Sequence, residues 1–427
     1  MAKIQSFHLI ALLITIYFPP EPGGGSTNAW NRAKMLHNLG YSVFIITNMP
    51  SYPNGKILDK KYTGKLFYVE VMDSFTVIRL RLPSIKHEGY VKRLILFLDF
   101  ILLCFLYMPR IVKITGKITL VYALAPIIFS STIGYIYSKF SKSWFVYEAA
   151  DLWPEELVVF KTYLSPFIKL FGKPIAKLSY KYADIIFTIS NRAVELIVKE
   201  YHPKSPVYSL PIGVDPSRFP IVSKYQSRTE LINNKIFPEN LKDKFIVLYS
   251  GIISRAQRIE NLAYLAKELK NEKEIAILIV GDGEDKEKMV QLKIENGLDN
   301  FYILPYQPRS LMPSILSAVD VCTVLLSPEP IFEIAVPSKF YEFLACHKPI
   351  VGMCRGELAD IINSKNIGYT TDIGDISKLA TIIRRMKNSP TVMDTVERNS
   401  ELALQNFSID AISSKLREAL KKEGKYI

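Results

Sequence analysis

The chain has 427 residues, 49% hydrophobic and 22% charged, which excludes a disordered protein and favours a globular one with two domains. Lys and Arg number 54 against 41 Asp and Glu, a net charge of +13, which favours an anionic partner such as nucleic acid, an anionic membrane or a phosphorylated substrate. The four cysteines lack CxxC or zinc-type spacing, so we expect reduced thiols.

The first predicted element is the apolar run HLIALLITIYFPP, which begins at residue 8. It resembles the hydrophobic core of a signal peptide, and it also resembles a buried first strand of a parallel sheet. The sequence PPEPGGGS ends this run, and it suits a functional strand-to-helix loop better than a cleavage site. We therefore expect a strand over residues 8–17.

Apolar runs and helical patterns alternate along the chain, which predicts two α/β domains with doubly wound parallel sheets. Strands are expected near 8–17, 42–48, 76–81, 118–124, 144–149, 184–190, 245–251, 275–283, 301–306, 320–326 and 348–353. Helices are expected near 27–39, 90–114, 127–140, 155–181 and 191–200 and over the tail from residue 391. Ligands of such sheets bind at the carboxyl ends of the strands, so a cleft between the domains is the expected site.

Two apolar stretches raise the question of membrane contact. Residues 118–138 lack charge, but Pro126 divides them into a strand and a helix that begins with proline. Residues 94–108 contain Asp99 and are flanked by four basic residues, Lys92, Arg93, Arg110 and Lys113. We expect this second stretch to be a helix that is either core or partly sunk in a membrane interface.

The loop after the first predicted strand contains three consecutive glycines, Gly23, Gly24 and Gly25. Glycine allows the backbone to approach a ligand closely, and the N-terminus of the following helix favours an anion. Ser26 or Thr27 is the expected cap of that helix. A flexible turn without a ligand is the alternative.

The second half of the chain contains a comparable loop, SGIISRAQRIENL. Gly251 ends a predicted strand there, and Arg255 and Arg258 are placed to meet a diphosphate. Two surface arginines without a ligand are the alternative. The later sequence GDG at residues 281–283 is interpreted as a tight turn.

The stretch AVPSKFYEFLACHKPIV carries a polar cluster where a helix begins. Ser338, Lys339 and Glu342 share one side of this helix, because they are three or four residues apart. Backbone N–H groups near Ser338 and Lys339 are available to a phosphate, and Glu342 is available to ribose hydroxyls. A capping serine with a structural ion pair is the alternative. No metal-binding or serine-nucleophile motif is visible.

Taken in order, YFPPEPGGG, DLWPEE, SGIISRAQRIENL, GDGE, LPYQPRSLMP and VPSKFYEFLACHKPI resemble the retaining glycosyltransferases of family 4. The branch that makes polysaccharides and lipid-linked glycans is the most similar. The resemblance spans nearly the whole chain and implies a GT-B fold, with two Rossmann-like domains facing a cleft. It implies an acceptor-binding domain at 1–215, a nucleotide-sugar-binding domain at 216–390 and helices at 391–427 that cross back to the first domain.

The resemblance also implies roles for residues. Glu342 would contact the ribose, and the backbone of residues 336–339 would bind the diphosphate, with Ser338 and Lys339 at its end. Arg255 and Arg258 would neutralise the phosphates beside Gly251, and the three glycines at 23–25 would approach from the first domain. The donor would be a UDP- or GDP-linked sugar, with no further cofactor and with retention at the anomeric carbon.

Two positions depart from the family's pattern. Ile334 stands where many members have the first of two glutamates, and Glu333 is one residue out of register. Many members also have a histidine after the strand that matches residues 118–124, and this chain has none there. Glu333 is a catalytic candidate if its loop bulges. Asp151 is a candidate for orienting the acceptor or taking its proton, the alternative being a cap for a helix begun at Trp153.

Residues 158–184 interleave lysines with apolar side chains, and Lys169, Lys173 and Lys177 are the expected membrane contacts. This pattern predicts a peripheral protein on the cytoplasmic side of an anionic membrane, with a lipid-linked acceptor such as a polyprenyl diphosphate sugar. A solvated lysine face is the alternative. Nucleic acid would suit such a patch, but no nucleic-acid-binding motif is present, so it is not an expected partner.

The sequence thus predicts a glycosyltransferase that moves a sugar from a nucleotide donor to a membrane-associated glycan acceptor. One rival keeps the fold and changes the chemistry: a nucleotide-sugar epimerase, or a transferase acting on soluble glycans. The other rival is a catalytically inactive GT-B subunit that binds a partner enzyme or a lipid, as the missing glutamate and histidine suggest.

Overall fold

The computed structural model describes residues 9–51, 55–57, 59–85, 90–124, 130–152, 155 and 165–425. The chain divides into two compact units. Unit 1 comprises Met1–Gly213 and Ile409–Ile427, and unit 2 comprises Val214–Ser408. The last two helices lie on either side of this division, since the helix Pro390–Phe407 belongs to unit 2 and the helix Ile409–Lys422 to unit 1.

Unit 1 contains an eight-stranded sheet in the order β3-β4-β2-β1-β5-β6-β7-β8. Its strands are β1 (Ile10–Ile14), β2 (Ser42–Asn48), β3 (Phe67–Met72), β4 (Phe75–Leu80), β5 (Leu120–Leu124), β6 (Trp144–Ala149), β7 (Ile185–Thr188) and β8 (Val207–Ser209). Its helices are α1 (Gly24–Asn38), α2 (Tyr90–Leu106), α3 (Met108–Thr115), α4 (Ser130–Ser141), α5 (Ser165–Lys181), α6 (Asn191–Tyr201) and α15 (Ile409–Lys422).

Unit 2 contains a six-stranded sheet in the order β11-β10-β9-β12-β13-β14, in which every pairing is parallel. Its strands are β9 (Phe245–Ile252), β10 (Ile275–Asp282), β11 (Phe301–Leu304), β12 (Val321–Leu325), β13 (Ile350–Met353) and β14 (Gly368–Thr371). Its helices are α7 (Lys224–Asn233), α8 (Glu260–Glu268), α9 (Lys286–Glu295), α10 (Met312–Ala318), α11 (Ser338–Ala345), α12 (Glu357–Ser364), α13 (Ile376–Asn388) and α14 (Pro390–Phe407).

The predicted fold class is confirmed, with one correction at an edge of the first sheet. β1 is almost wholly buried and pairs in parallel with β2 and β5, as its continuous apolar sequence predicts. The edge strand β3 was not predicted, and it runs antiparallel to β4 through a turn at Asp73, whose φ of 54° is left-handed. The sheet of unit 1 is therefore mixed rather than fully parallel.

The long helix predicted for residues 90–114 is in fact two helices. α2 and α3 meet near Tyr107 at an angle of 62°. Within the described ranges, no single helix has the length and apolarity needed to cross a bilayer, whereas Lys92–Leu106 and Met108–Thr115 reach that length and composition only as this bent pair. Of the helix predicted at 155–181, residues 156–164 lie outside the described part. All four cysteines are buried and unpaired.

Candidate active site

The three glycines of unit 1 form the open N-terminus of α1. Gly23 is the N-cap residue, and its φ of 107° is a conformation that favours glycine. Gly24 and Gly25 begin the helix, and all three glycines are exposed. The prediction that Ser26 or Thr27 caps this helix is wrong, because both are buried within its first turn and the Thr27 hydroxyl donates to Gly23 O at 3.1 Å. No side chain caps the helix, which leaves its first N–H groups available to a ligand.

A buried ion pair fixes α1 to the end of β6. Arg32 and Glu148 are both fully buried, and Arg32 Nε donates to Glu148 Oε2 at 2.7 Å. Asn28 Nδ2 donates to the same carboxylate at 2.9 Å, and the Tyr122 hydroxyl also donates to it. Arg32 further donates to the carbonyl oxygen of Leu210, at 2.7 Å, in the segment that precedes unit 2. The network therefore holds the glycine turn, the end of β6 and this segment in one arrangement.

Asp151 follows β6 directly and is exposed to solvent. Although the side chain reaches the surface, the protein packed around it partly desolvates the carboxyl group, which raises the pKa of Asp151; the nearby charge of Glu148 also raises it, and the charge of Arg93 lowers it. A raised carboxyl pKa suits a group that accepts and returns a proton, so the predicted role of Asp151 is chemically reasonable and stays a prediction. Trp153, at which the alternative helix would begin, lies outside the described residues.

In unit 2, the C-terminal end of β9 meets the first turn of α11. Lys339 Nζ lies 3.8 Å from the centre of the Tyr249 ring, and a Cβ added to Gly251 would lie 2.9 Å from that nitrogen. Gly251 has a φ of 136°, which favours glycine, and the absence of a Cβ leaves room for the ammonium group. Burial lowers the pKa of Lys339 to about 7, although Glu342 opposes the shift. Two residues predicted to bind the donor are thus adjacent.

Glu342 lies one turn further along α11 and forms an ion pair. Arg309 Nη2 donates to Glu342 Oε1 at 2.7 Å, and the Glu342 side chain is only 16% exposed. Burial raises the pKa of Glu342, and the charges of Arg309, Lys339 and Arg218 lower it. Three cations around one carboxylate make this part of unit 2 electropositive, which suits a diphosphate.

Arg309 and Arg218 were not assigned to the site from the sequence. Arg309 begins a 3₁₀ turn, Arg309–Leu311, after β11, and Arg218 ends another, Pro216–Arg218. The motif LPYQPRSLMP contains Arg309 and was the available signal. However, neither arginine has a sequence spacing to Glu342 that would predict contact, since the fold brings together two 3₁₀ turns and a helix from separate parts of the chain.

The predicted phosphate arginines lie on the loop after β9. Arg255 begins the 3₁₀ turn Arg255–Gln257 and is exposed, and Arg258 follows in a left-handed conformation, with its Nη1 3.7 Å from Glu260 Oε1. A hydrogen bond from Ser327 and, to a lesser extent, the charges of Arg258 and Arg255 lower the pKa of Glu329. The two arginines therefore face the loop that follows β12.

The remaining predicted site residues lie in the loop before α11 or at the start of that helix. Pro337 is the N-cap of α11 and Ser338 its first residue, so Ser338 is not the capping serine of the alternative interpretation. Glu333 lies in the 3₁₀ helix Pro330–Ile334. A Cβ added to Gly356 would lie 2.0 Å from Glu333 O, so the backbone at Glu333 packs tightly against the start of α12. The catalytic role of Glu333 stays a prediction.

The predicted membrane lysines lie on α5. Lys173 Nζ forms an ion pair with Glu200 Oε2 at 2.6 Å, which raises the pKa of Lys173 and places a negative charge beside its ammonium group. Lys177 is exposed, and Lys169 lies one helical turn before Lys173. Elsewhere in the described ranges, no group of three His, Cys, Asp or Glu side chains is placed to hold a metal ion.

Two doubly wound α/β units, one with a cationic loop–helix junction at the carboxyl ends of its strands, are typical of nucleotide-sugar-dependent transferases. Residues 232–403 match the family described as "Glycosyl transferases group 1". The "Putative colanic acid biosynthesis glycosyl transferase WcaI" of Escherichia coli (strain K12) is 24% identical over 342 residues, which cover 78% of this chain and 80% of the relative. The family match covers most of unit 2, and the similarity to WcaI extends over most of the chain.

Solved structures share the fold of this chain. Sucrose-phosphate synthase from Thermosynechococcus elongatus superposes with a TM-score of 0.75 at 18% identity, over 97% of this chain and 99% of that chain. Anabaena Alr3699/HepE in complex with UDP-glucose gives a TM-score of 0.67 at 15% identity, over 97% and 100%. At such identities the likeness shows the fold, which is GT-B.

Proposed function

We propose that the protein transfers a sugar from a UDP- or GDP-linked donor to a membrane-associated, lipid-linked glycan acceptor during polysaccharide biosynthesis. The proposal of a nucleotide-sugar donor rests on the cluster of Lys339, Arg309 and Glu342 beside Gly251. The similar protein HepE is described in complex with UDP-glucose, and the similar protein WcaI is named for colanic acid biosynthesis. Both support the proposal.

In this proposal the cations act on the leaving group. Departure of the sugar leaves a nucleoside diphosphate with added negative charge, and Lys339, Arg309 and the N–H groups at the start of α11 stabilise that charge. Glu342 accepts a hydrogen bond from the ribose, which fixes the donor's position. Asp151 orients the acceptor hydroxyl or takes its proton. Retention at the anomeric carbon rests on the resemblance to family 4.

The donor site is tested by measuring the affinity of UDP, GDP and their sugars for the variants Glu342→Ala and Arg309→Ala. We expect each variant to weaken nucleotide binding about 10- to 100-fold, the equivalent of one hydrogen bond to a charged group. Arg309→Ala should weaken a nucleoside diphosphate and leave a nucleoside unchanged. The matched control is Glu272→Ala, which breaks an ion pair with Arg384 on another part of unit 2. Unchanged affinity in both site variants would overturn the assignment.

A second candidate function is a catalytically inactive subunit, because Ile334 occupies the position of the family's first glutamate. The two functions differ in turnover. The transferase releases UDP or GDP from a bound donor when membrane extract supplies the acceptor, and Glu333→Ala lowers that release while the donor still binds. Donor binding without any nucleotide release would favour the inactive subunit.

A further inference from the structure

Helix α2 presents a row of exposed leucines that the fold of unit 1 does not use. Leu96, Phe100 and Cys104 are fully buried and attach one side of the helix to the unit. The opposite side carries Leu94, Leu98, Leu102 and Leu106, which are 44%, 50%, 63% and 66% exposed. These residues recur every four positions and form one stripe. A helix that is apolar on all sides normally has both sides covered, so a second apolar environment is expected.

The stripe continues onto two neighbouring helices. α2 packs against α4, and α4 packs against α5. The hydroxyl of Tyr137 on α4 donates to Cys104 O at 2.7 Å, and Gly134 lets α4 lie directly on β5 and β6. The three helices therefore form one layer on the sheet, and their outward side chains share one surface. Apolar side chains on the α4 and α5 part of that surface are Ile136, Phe140 and Leu178.

The charges of this layer select its partner. Together α2, α3, α4 and α5 contain a single acid, Asp99, whose pKa is raised by burial. Their basic residues are Lys92, Arg93, Arg110, Lys113, Lys139, Lys169, Lys173, Lys177 and Lys181. Such a surface would repel a second copy of itself, since a two-fold interface places the same patch on both sides. Anionic lipid headgroups attract the cations, and the acyl region accepts the leucines.

We propose that the outward face of α2, α4 and α5 docks onto an anionic lipid bilayer, with the leucine stripe of α2 inserted below the headgroups. The inference deepens the proposed function, on which it rests, by assigning the surface that brings the enzyme to a lipid-linked acceptor. It also moves the centre of the expected membrane contact from the lysines of α5 to α2. Lys173 is already paired with Glu200, whereas the leucines of α2 are exposed.

The test is flotation of the full-length chain with phosphatidylcholine vesicles that contain or lack phosphatidylglycerol. Wild type should float with the anionic vesicles, and the double variant Leu98→Glu, Leu102→Glu should lower the bound fraction at least about tenfold. Leu402→Glu is the matched control, because Leu402 is 54% exposed on α14 of unit 2 and should not alter binding. Lys139→Glu with Lys177→Glu should weaken binding to anionic vesicles only.

Three results would overturn the docking surface. These are wild type that does not float, a leucine variant that floats like wild type, and a wild-type dimer in sedimentation that the leucine variant dissociates. Nucleotide affinity is measured on the same samples and should be equal in wild type and the leucine variant. A protein that floats but binds no nucleotide sugar refutes the proposed function and leaves the docking surface standing. A protein that binds a nucleotide sugar but does not float refutes the docking surface and leaves the proposed donor site standing.

Discussion

Replacement of Arg32 by leucine tests whether the buried ion pair organises unit 1. The side chain donates to Glu148 at 2.7 and 2.9 Å and to the carbonyl oxygens of Leu210 and Pro211 at 2.7 and 2.9 Å. Arg32→Leu leaves the fully buried carboxylate of Glu148 without its counter-ion. Breaking a buried pair in this way costs about 3–5 kcal/mol, and we expect the variant to lose that much stability.

The assay is urea unfolding followed by tryptophan fluorescence. All three tryptophans of the chain, Trp30, Trp144 and Trp153, belong to unit 1, so the signal reports on that unit. Lys34→Leu is the control, because Lys34 lies on the same helix and its ion pair with Asp73 is partly exposed, and the replacement should cost less than about 1 kcal/mol.

A double-mutant cycle with Glu148→Leu decides the interpretation. Each single replacement leaves one charge buried alone, whereas the double replacement removes both. The summed losses of unfolding free energy in the two single variants should therefore exceed the loss in the double variant by about 2–3 kcal/mol. Losses that add to within about 0.5 kcal/mol would refute the idea that Arg32 and Glu148 stabilise unit 1 as a pair.

Two further predictions concern unit 2. Because the pKa of Lys339 is lowered to about 7 and a diphosphate favours its charged form, nucleotide binding near pH 8 should take up a proton and weaken as the pH rises. Calorimetry in buffers of different ionisation enthalpy measures this uptake, which Lys339→Met should abolish. Gly281→Ala should cost at least about 2 kcal/mol in thermal unfolding by circular dichroism, because its Cβ would lie 1.9 Å from Gly251 O. Unchanged unfolding would show that β9 and β10 can separate without penalty.

The same lysine links pH to stability. Its pKa is lower in the folded chain than the ordinary value of 10.5, so the unfolded chain binds more protons between about pH 7 and 10.5. The contribution of Lys339 to stability therefore rises with pH through that window and is least favourable below it.

The central strands were predictable because strands that are buried on both faces have continuously apolar sequences. β1, β5 and β10 are continuous apolar runs, and the structure pairs them in parallel inside the sheets. The edge strand β11 was predicted, but the edge strands β3 and β14 were not. β3 alternates exposed and partly buried residues, and β14 is the four-residue segment GYTT, in which Gly368 is needed for close approach to Ile350 O.

The site was predictable only where its residues share one segment. Ser338, Lys339 and Glu342 lie on one helix, so their spacing alone placed them together. Contact between Lys339 and Tyr249 depends on how the fold places the start of α11 beside the end of β9, which no spacing encodes. The network around Arg32 was missed for a related reason, because an arginine within an amphipathic helix is usually exposed and here it is fully buried.

The electrostatics of unit 2 explain how the protein holds several cations close together. Arg309 is balanced by Glu342, and Lys339 lowers the cost of its own burial by losing its proton near pH 7. A diphosphate would supply the missing negative charge, restore the proton on Lys339 and strengthen each charge-assisted hydrogen bond. Ligand binding and protonation are then two parts of one event. The junction between β9 and α11 is consequently suited to an anion rather than to a neutral sugar, whose binding would leave the cations uncompensated.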